Sequence, residues 1–586
     1  MDKTEPIIVV GGGLSGLATA LAAATQGRPA VVLEAADLVG GAAAYSGGQV
    51  WCGANHVAAR EGIEDSLDLA ETYIRDVARH LAPETLDDDA FTRWLQTSPA
   101  AMKFWEDLGA IAWTVIPGLA DYHNEADGAL PQGRYLTNEV IDGSTLGPWR
   151  EKLRYSPYFP VGTTYRELLE KGRRATYVDD DGHDGTAAKH SHAGLPAFGL
   201  ADDNGFDGPD AGDPLTYGTG VVASFLRRVL AEPSIDIRLA HRVTALLQDV
   251  DGAVSGVRAS SPAGDVEFRG PVVLATSTYD WDPEAVSDIL GLDPEDWGSV
   301  APESIRGDGL RLARSVGGEL ARIPANATPI LPGWRSQVGT GFGYGPEYAM
   351  PHSMIVDRSG RRYCNDSYWV DICRKTLDPD DRHLPFFLIW DDQHRRKYGL
   401  AATPPGGEYP EGWVQQGATL AELGEKLDID GAELTKTAHR FSGFARDGKD
   451  PDFGRGSVDY VNRFAGDPDN APSPVLGPIE EAPFYGIRLR FVGTGIGTSG
   501  VHIDGDGHVL DRSGAPIDGL YAAGSVAALT TTGTAYNSGI ALGRGLTLAY
   551  LIGHELAGKP IPRQAEPTHH DHERVGDHAQ MGAVHG

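Results

Sequence analysis

Cysteine is nearly absent: three residues, Cys52, Cys364 and Cys373, in a chain of 586. They form no CxxC, CxxCH or Cys-rich cluster. That excludes a disulfide framework and leaves zinc ribbons, iron–sulfur centres and attached haem without ligands. Basic charge is also short, with 50 Lys and Arg against 82 Asp and Glu, a formal net charge of −32. Such a surface repels phosphate backbones and anionic lipid heads, so neither nucleic acid nor a membrane surface is an expected partner. No apolar run reaches the ~18 residues a membrane span needs. The opening MDKTEP passes straight into a strand pattern rather than a signal peptide. These absences predict a soluble, cytoplasmic protein. What is present is enough apolar sequence, 41%, to bury a sizeable core. The length predicts several domains or one large enzyme with insertions.

The first chemistry-bearing pattern stands at the start. Residues 7–10 read IIVV, then come Gly11, Gly13, Leu14, Ser15 and Gly16, an alanine-rich stretch to Gln26, and Val31-Val32-Leu33 ending in Glu34. Strand, glycine turn, helix, strand and carboxylate is the dinucleotide-binding order. Gly11 permits the tight turn, Gly13 admits a pyrophosphate to the backbone, and Gly16 lets helix pack on strand. The helix start then faces a phosphate, and Glu34, followed by Ala35, accepts from ribose hydroxyls. A second glycine-rich stretch, Val39 to Gly53, follows at once and contains Gly41, Ala42, Ser46, Gly47 and Gly48. With the returning segment Asp518 to Gly524, continued by Ser525, it favours FAD over NAD. An NAD enzyme has no need of that return.

Further along, residues 173–219 are rich in Asp, Gly, His and Ala and predict a long irregular acidic insertion. Structure is expected to resume at Val221 with an amphipathic helix, followed by strands near IDIRL, VTALLQDV, AVSGVRAS and PVVLAT. From about 301 the pattern is mixed helix and strand. After Pro483 it returns to glycine-rich character and ends in an apolar helix near 539–556. The fold class is α/β: a discontinuous Rossmann-like FAD-binding domain (4–300 and 483–562) with an inserted α+β capping domain (301–482). A polar His-rich tail (563–586) is expected to be disordered. His190 and His192, the tail residues His569, His570, Asp571 and His572, and the Asp-rich VDDDGHDG are read as solvated polar sequence. No metal site is expected.

The stretches EAADLVGGAAAYSGGQVW, VVLATSTYDWDPE, GDGLRLARSVGGEL, MIVDRSGRRYCND and GLYAAGSV together resemble the fumarate reductase / 3-ketosteroid dehydrogenase superfamily of flavoproteins. The resemblance covers most of the chain outside 173–219 and the tail. It implies FAD, held non-covalently because no His lies between Val39 and Gly53. It extends the cofactor contacts to Val243, Ala275, Thr276, Ser277, Gly539, Ile540, Ala541 and Leu542. Fumarate enzymes clamp two carboxylates with arginines. The corresponding loop here, Thr534 to Gly539, has none, and Arg544 lies a turn into the following helix. The ketosteroid branch places a tyrosine in that loop, here Tyr536. Further family tyrosines match Tyr368, after Asn365-Asp366-Ser367, and Tyr122, after Asp121.

Oxidation beside a ketone needs a donor for developing enolate charge, assigned to Tyr536 or Ser538. It also needs a base for the α-proton, assigned to Tyr368 supported by Tyr122, whose hydrogen bond would lower the phenol pKa. The helix starting near Gly539 would favour hydride acceptance by the flavin. Tyr344 and Tyr348 are read equally as cavity lining or loop support. The expectation is therefore an FAD-dependent dehydrogenase installing a C=C bond conjugated to the ketone of a cyclic apolar, steroid-like substrate. Electrons would pass to an external acceptor, quinone-like, protein or O2. The alternatives are an ene-reductase of an enone or unsaturated acid, and a flavin-binding protein whose tyrosines only pack. The sequence sets no oligomeric state.

Overall fold

The computed structural model describes residues 5–156, 159, 161–162, 164–171, 213–335, 342–401 and 403–561. Most of the predicted acidic insertion, including His190 and His192, and the predicted tail lie outside the described residues.

The glycine motif opens the main sheet as read: strand β1 (Ile7–Val10), helix α1 (Leu14–Thr25) and strand β2 (Ala30–Leu33). Helix α2 (Tyr217–Leu230) leads into β3 (Ile235–Arg238) and later β4 (Val272–Leu274). Helices α3 (Trp369–Thr376) and α4 (Asp459–Phe464) belong to the middle of the chain. Strands β5 (His508–Leu510) and β6 (Pro516–Ala522) and helix α5 (Ile540–Leu556) close it. The six strands order as β5-β6-β4-β1-β2-β3. All pairs are parallel except β5 with β6. A parallel sheet is covered on both faces, which explains why β1 is wholly apolar and wholly buried. Each Val or Ile so buried contributes roughly 1.5–3 kcal/mol. The alanine-rich α1 packs on α5, small side chains letting the two helices come close.

Two boundaries differ from the sequence reading. Helix α2 starts at Tyr217, before Val221, and Pro214–Leu215 form a strand. The run YGTG reads as loop, yet its glycines serve close approach: a Cβ at Gly218 would stand 2.0 Å from the Ala43 carbonyl oxygen. The second difference lies near residue 483. The strand Phe484–Arg488 pairs with Phe386–Trp390, which also pairs with Ser353–Asp357, so the middle sheet runs past 482. Helices Leu420–Leu427 and Gly431–Asp447 supply apolar residues to the cluster beneath that sheet.

One ion cluster ties the sheet edge to α5. His508 Nδ1 lies 2.9 Å from Asp504 and its Nε2 2.8 Å from Glu555. Those two carboxylates raise the imidazole pKa to about 10, and His508 in turn lowers both of theirs. A raised His pKa stabilises the fold fully below its ordinary value of about 6.5 and is lost as pH rises through 10. Lowered carboxylates stabilise above their ordinary range and lose that on acidification. His508→Gln is therefore expected to lower the thermal midpoint near pH 6, with the gap to wild type closing by pH 10.5. An equal gap at both pH values contradicts this assignment.

Candidate active site

One long cleft collects the glycine-rich stretches. It is lined by Gly11, Gly13, Leu14 and Ser15 at the start of α1, and by Glu34 and Ala35 after β2. The turn after β2 adds Gly41, Ala42, Ser46, Gly47 and Gly48. Val243 and Ala275 to Ser277 form another wall, and Gly524, Ser525, Gly539, Ala541 and Leu542 come from the returning segment and α5. Two predicted contacts lie elsewhere. Gly16 faces the turn, where a Cβ would stand 2.0 Å from the Gly11 carbonyl oxygen, and Ile540 is fully buried in the core. Both support the cleft from behind.

The glycines show what the cleft accommodates. Gly11 has φ +114, and a Cβ there would meet the Ala275 oxygen at 2.3 Å, so the turn itself requires glycine. Gly13 has an ordinary backbone, and a Cβ there would find no protein atom closer than the Gly40 oxygen at 4.0 Å. A side chain at 13 would thus fill cleft rather than strike protein. That is the signature of a backbone approached by a ligand, and it fits a pyrophosphate at the start of α1. Glu34 is positioned by two backbone donors, Gly12 N–H on Oε2 at 2.8 Å and Ala36 N–H on Oε1 at 2.8 Å. Each oxygen keeps a lone pair for a ribose hydroxyl. Burial raises the Glu34 pKa against these hydrogen bonds.

At the other end the lining turns aromatic. Tyr122, Tyr536 and Ser538 line it as predicted, joined by Trp369, Tyr460 and Gln49. The Tyr122 ring lies 4.3 Å from that of Tyr460 and 5.8 Å from Trp369, and Trp369 lies 5.9 Å from Tyr536. Gln49 and Tyr460 share a hydrogen bond, Nε2 donating to Oη at 3.2 Å. Burial raises the Tyr122 pKa, and the neighbouring polar groups of Ser538, Trp369 and Tyr460 work the other way. No such relief reaches Tyr536, whose pKa burial pushes well up. His123, beside Tyr122, is held neutral by burial, with a pKa of about 3.

Tyr368, read from the sequence as the base supported by Tyr122, packs beside Tyr122 but is not among the lining residues. It precedes α3, and its neighbours Ser367 and Trp369 line the cleft while Tyr368 does not. Its ring packs edge-on against Tyr122 at 6.1 Å, and its buried hydroxyl has no hydrogen-bond partner. Burial drives its pKa well above the ordinary value, the opposite of the lowering expected. The place next to Tyr122 on the cleft wall belongs to Tyr460, from α4. No sequence signal marked it: DYVNRF is a plain amphipathic segment, and its partner Gln49 is remote in the chain. Tyr348 lines the cleft; the Tyr344 side chain lies outside the described residues.

Charge is confined to the Glu34 end. Arg242, paired with Asp308, is the one arginine or lysine among the described lining residues. Arg544 is buried and donates to the backbone oxygens of Gly524, Ala527 and Ala528. Among the described residues no group of His, Cys, Asp and Glu is placed to hold a metal ion, and no helix is long and apolar enough to cross a membrane.

A glycine-lined dinucleotide cleft ending in an aromatic chamber defines a flavoprotein site, and the chain belongs to the FAD binding domain family, whose sequence profile matches residues 6–542. It binds FAD in a mixed α/β flavoprotein fold. Over 576 residues it is 30% identical to the 4-oxocyclohexanecarboxylate 2-dehydrogenase of Sinomonas cyclohexanicum, covering 95% of this chain and 93% of that one. It is likewise 30% identical over 575 residues to the 3-oxosteroid 1-dehydrogenase of Mycolicibacterium smegmatis, covering 94% and 97%. The crystal structure of 3-ketosteroid delta1-dehydrogenase from Sterolibacterium denitrificans with 1,4-androstadiene-3,17-dione shares the fold, with TM-score 0.79 and 23% identity over 95% of this chain and all of that one. The resemblance drawn from the sequence is borne out.

Proposed function

We propose that this chain is an FAD-dependent dehydrogenase that introduces a C=C bond conjugated to the ketone of a cyclic, apolar, steroid-like substrate. The observation that carries this reading is the chamber of Tyr122, Tyr460, Tyr536 and Trp369, with no cation among its described lining residues. The relatives named for oxo-substituted rings support it. In this reading FAD is non-covalent, held by the Gly11–Ser15 turn, Glu34, Gly41–Gly48 and the start of α5. The sheet of β1 to β6 forms a Rossmann-like domain, and residues 301–482, with the strand Phe484–Arg488, cap it. An external quinone-like, protein or O2 acceptor takes the electrons.

When bound, the flavin supplies the acceptor for the hydride leaving the β-carbon. The protein's residues handle the proton and the carbonyl. Ser538 and Tyr536 donate hydrogen bonds to the ketone oxygen, stabilising enolate charge as the α-C–H bond breaks. Tyr122 takes the α-proton: it stands on the chamber wall between Tyr460 and Trp369, whose polar groups favour the phenolate, whereas burial drives the pKa of Tyr368 and Tyr536 well up. The apolar walls exclude water from the reacting carbons. Since the Tyr122 pKa stays above the ordinary phenol value of about 10, its base form grows about tenfold per pH unit below that value. The rate of flavin reduction is expected to climb from pH 7 to 9 without a plateau. A flat profile would remove Tyr122 from the base role.

Anaerobic mixing with a saturated 3-ketosteroid tests the activity. Bleaching of the yellow flavin with formation of the enone supports dehydrogenation. Reoxidation of chemically reduced protein by an enone, without the forward reaction, supports the reductase. Indifference to both overturns the proposal.

A further inference from the structure

Behind the chamber lies a polar network that the mechanism above does not use. Asn537 stands between Tyr536 and Ser538 and is 1% exposed. Its Oδ1 accepts the backbone N–H of Tyr122 at 2.9 Å, the Tyr135 hydroxyl at 2.9 Å and the Tyr73 hydroxyl at 3.4 Å. Its Nδ2 donates to Asp121 Oδ1 at 3.3 Å. Three donors on one side and a carboxylate on the other leave the amide only one orientation. Asp121 is itself fixed, accepting Trp51 Nε1 at 2.8 Å and Arg134 Nη1 at 2.8 Å. Arg134 in turn grips Asp65 through Nε at 3.0 Å and Nη2 at 2.8 Å. Burial opposes the Arg134 charge, but Asp65 and Asp121 more than offset it.

This network joins two segments far apart in the chain. One carries Tyr122, the other Tyr536 and Ser538. The Asn537 side chain bonds the first segment at both the Tyr122 N–H and Asp121, and the Asp121–Arg134 pair sets its direction.

We propose that Asn537 is a positioning residue that fixes the Tyr122 phenol relative to the Tyr536–Ser538 donors, holding the proton acceptor and the carbonyl donors at one separation. The inference rests on the dehydrogenase reading for its consequence in turnover, but not for the clamp itself. Removing the amide frees the Tyr122 N–H and loosens one segment from the other. Misplacement by about 1 Å costs on the order of 100-fold in rate.

The test uses the FAD-loaded enzyme and Asn537→Ala with two readouts. Backbone hydrogen exchange is expected to quicken at least tenfold at Tyr122 and across 536–538, with bound FAD unchanged. Flavin bleaching by a saturated 3-ketosteroid is expected to slow about 100-fold, with KM nearly constant and a larger isotope effect for substrate deuterated at the α-carbon, since proton removal then limits the step. Unchanged exchange at Tyr122 overturns the clamp. Faster exchange with bleaching within twofold of wild type overturns the positioning role. If wild type itself is not bleached by ketones, the functional reading fails while the exchange arm still decides the clamp. Should Asn537→Ala not fold, Asn537→Asp keeps the acceptor but sets a carboxylate against Asp121. The same slowing and faster exchange are expected there, and wild-type values for both overturn the proposal.

Discussion

Tyr122→Phe is expected to slow flavin reduction by a saturated cyclic ketone about 1000-fold, within the 10²–10⁴ range of a lost general base, while FAD remains bound. The ring is retained, so its packing against Tyr460 and Trp369 survives. What is lost is the oxygen that faces the polar groups of Trp369 and Tyr460. Tyr368→Phe serves as the internal contrast. That hydroxyl is buried, unpartnered and off the cleft wall. Removing it is expected to leave the rate within about twofold and to raise stability by about 1 kcal/mol, because a desolvated, unsatisfied hydroxyl disappears. Stopped-flow bleaching and thermal unfolding of the two variants measure both effects. The reverse outcome, with Tyr368→Phe inactive and Tyr122→Phe active, would restore the base to Tyr368 and contradict the chamber as described.

The second large effect separates two glycines of one motif. Gly13→Val is expected to abolish FAD binding yet leave a folded apoprotein, since its new side chain meets cleft rather than protein. Gly11→Val is expected to fail at folding. It forces a branched residue to φ +114 and places a Cβ 2.3 Å from the Ala275 oxygen, which is backbone and cannot rotate away. Positive-φ strain alone costs on the order of 1–3 kcal/mol, and the clash adds to it. Soluble yield, far-ultraviolet dichroism and flavin absorbance distinguish the cases. A yellow Gly13→Val protein would refute the placement of the pyrophosphate at that turn.

The sequence told most about the cofactor half because its chemistry is backbone chemistry. Gly11, Gly13 and Glu34 act through a local turn, and a local turn is written in consecutive residues. All but Gly16 and Ile540 of the predicted cofactor contacts line the cleft. The middle sheet was less legible: Phe484–Arg488 joins it by pairing with Phe386–Trp390, a partnership no local pattern encodes. The substrate end was the hardest. Tyr122 and Tyr536 could be found by their loops, but that Ser367 and Trp369 line the cleft while Tyr368 packs beside Tyr122 is settled by the tertiary arrangement. Tyr460 and Gln49 meet only through tertiary packing. Asn537 looked like a loop residue, and its partners Tyr73, Asp121 and Tyr135 lie hundreds of residues away.

The central claim is that a ketone binds with its oxygen at Ser538 and Tyr536 and its ring among the phenols. A crystal structure of the FAD-loaded enzyme with a cyclic dienone product tests it directly. The account predicts the carbonyl oxygen within hydrogen-bond distance of Ser538 or Tyr536, with the Tyr122 hydroxyl against the adjacent carbon. A dienone lodged outside the chamber, or with its oxygen turned away from both donors, would contradict it.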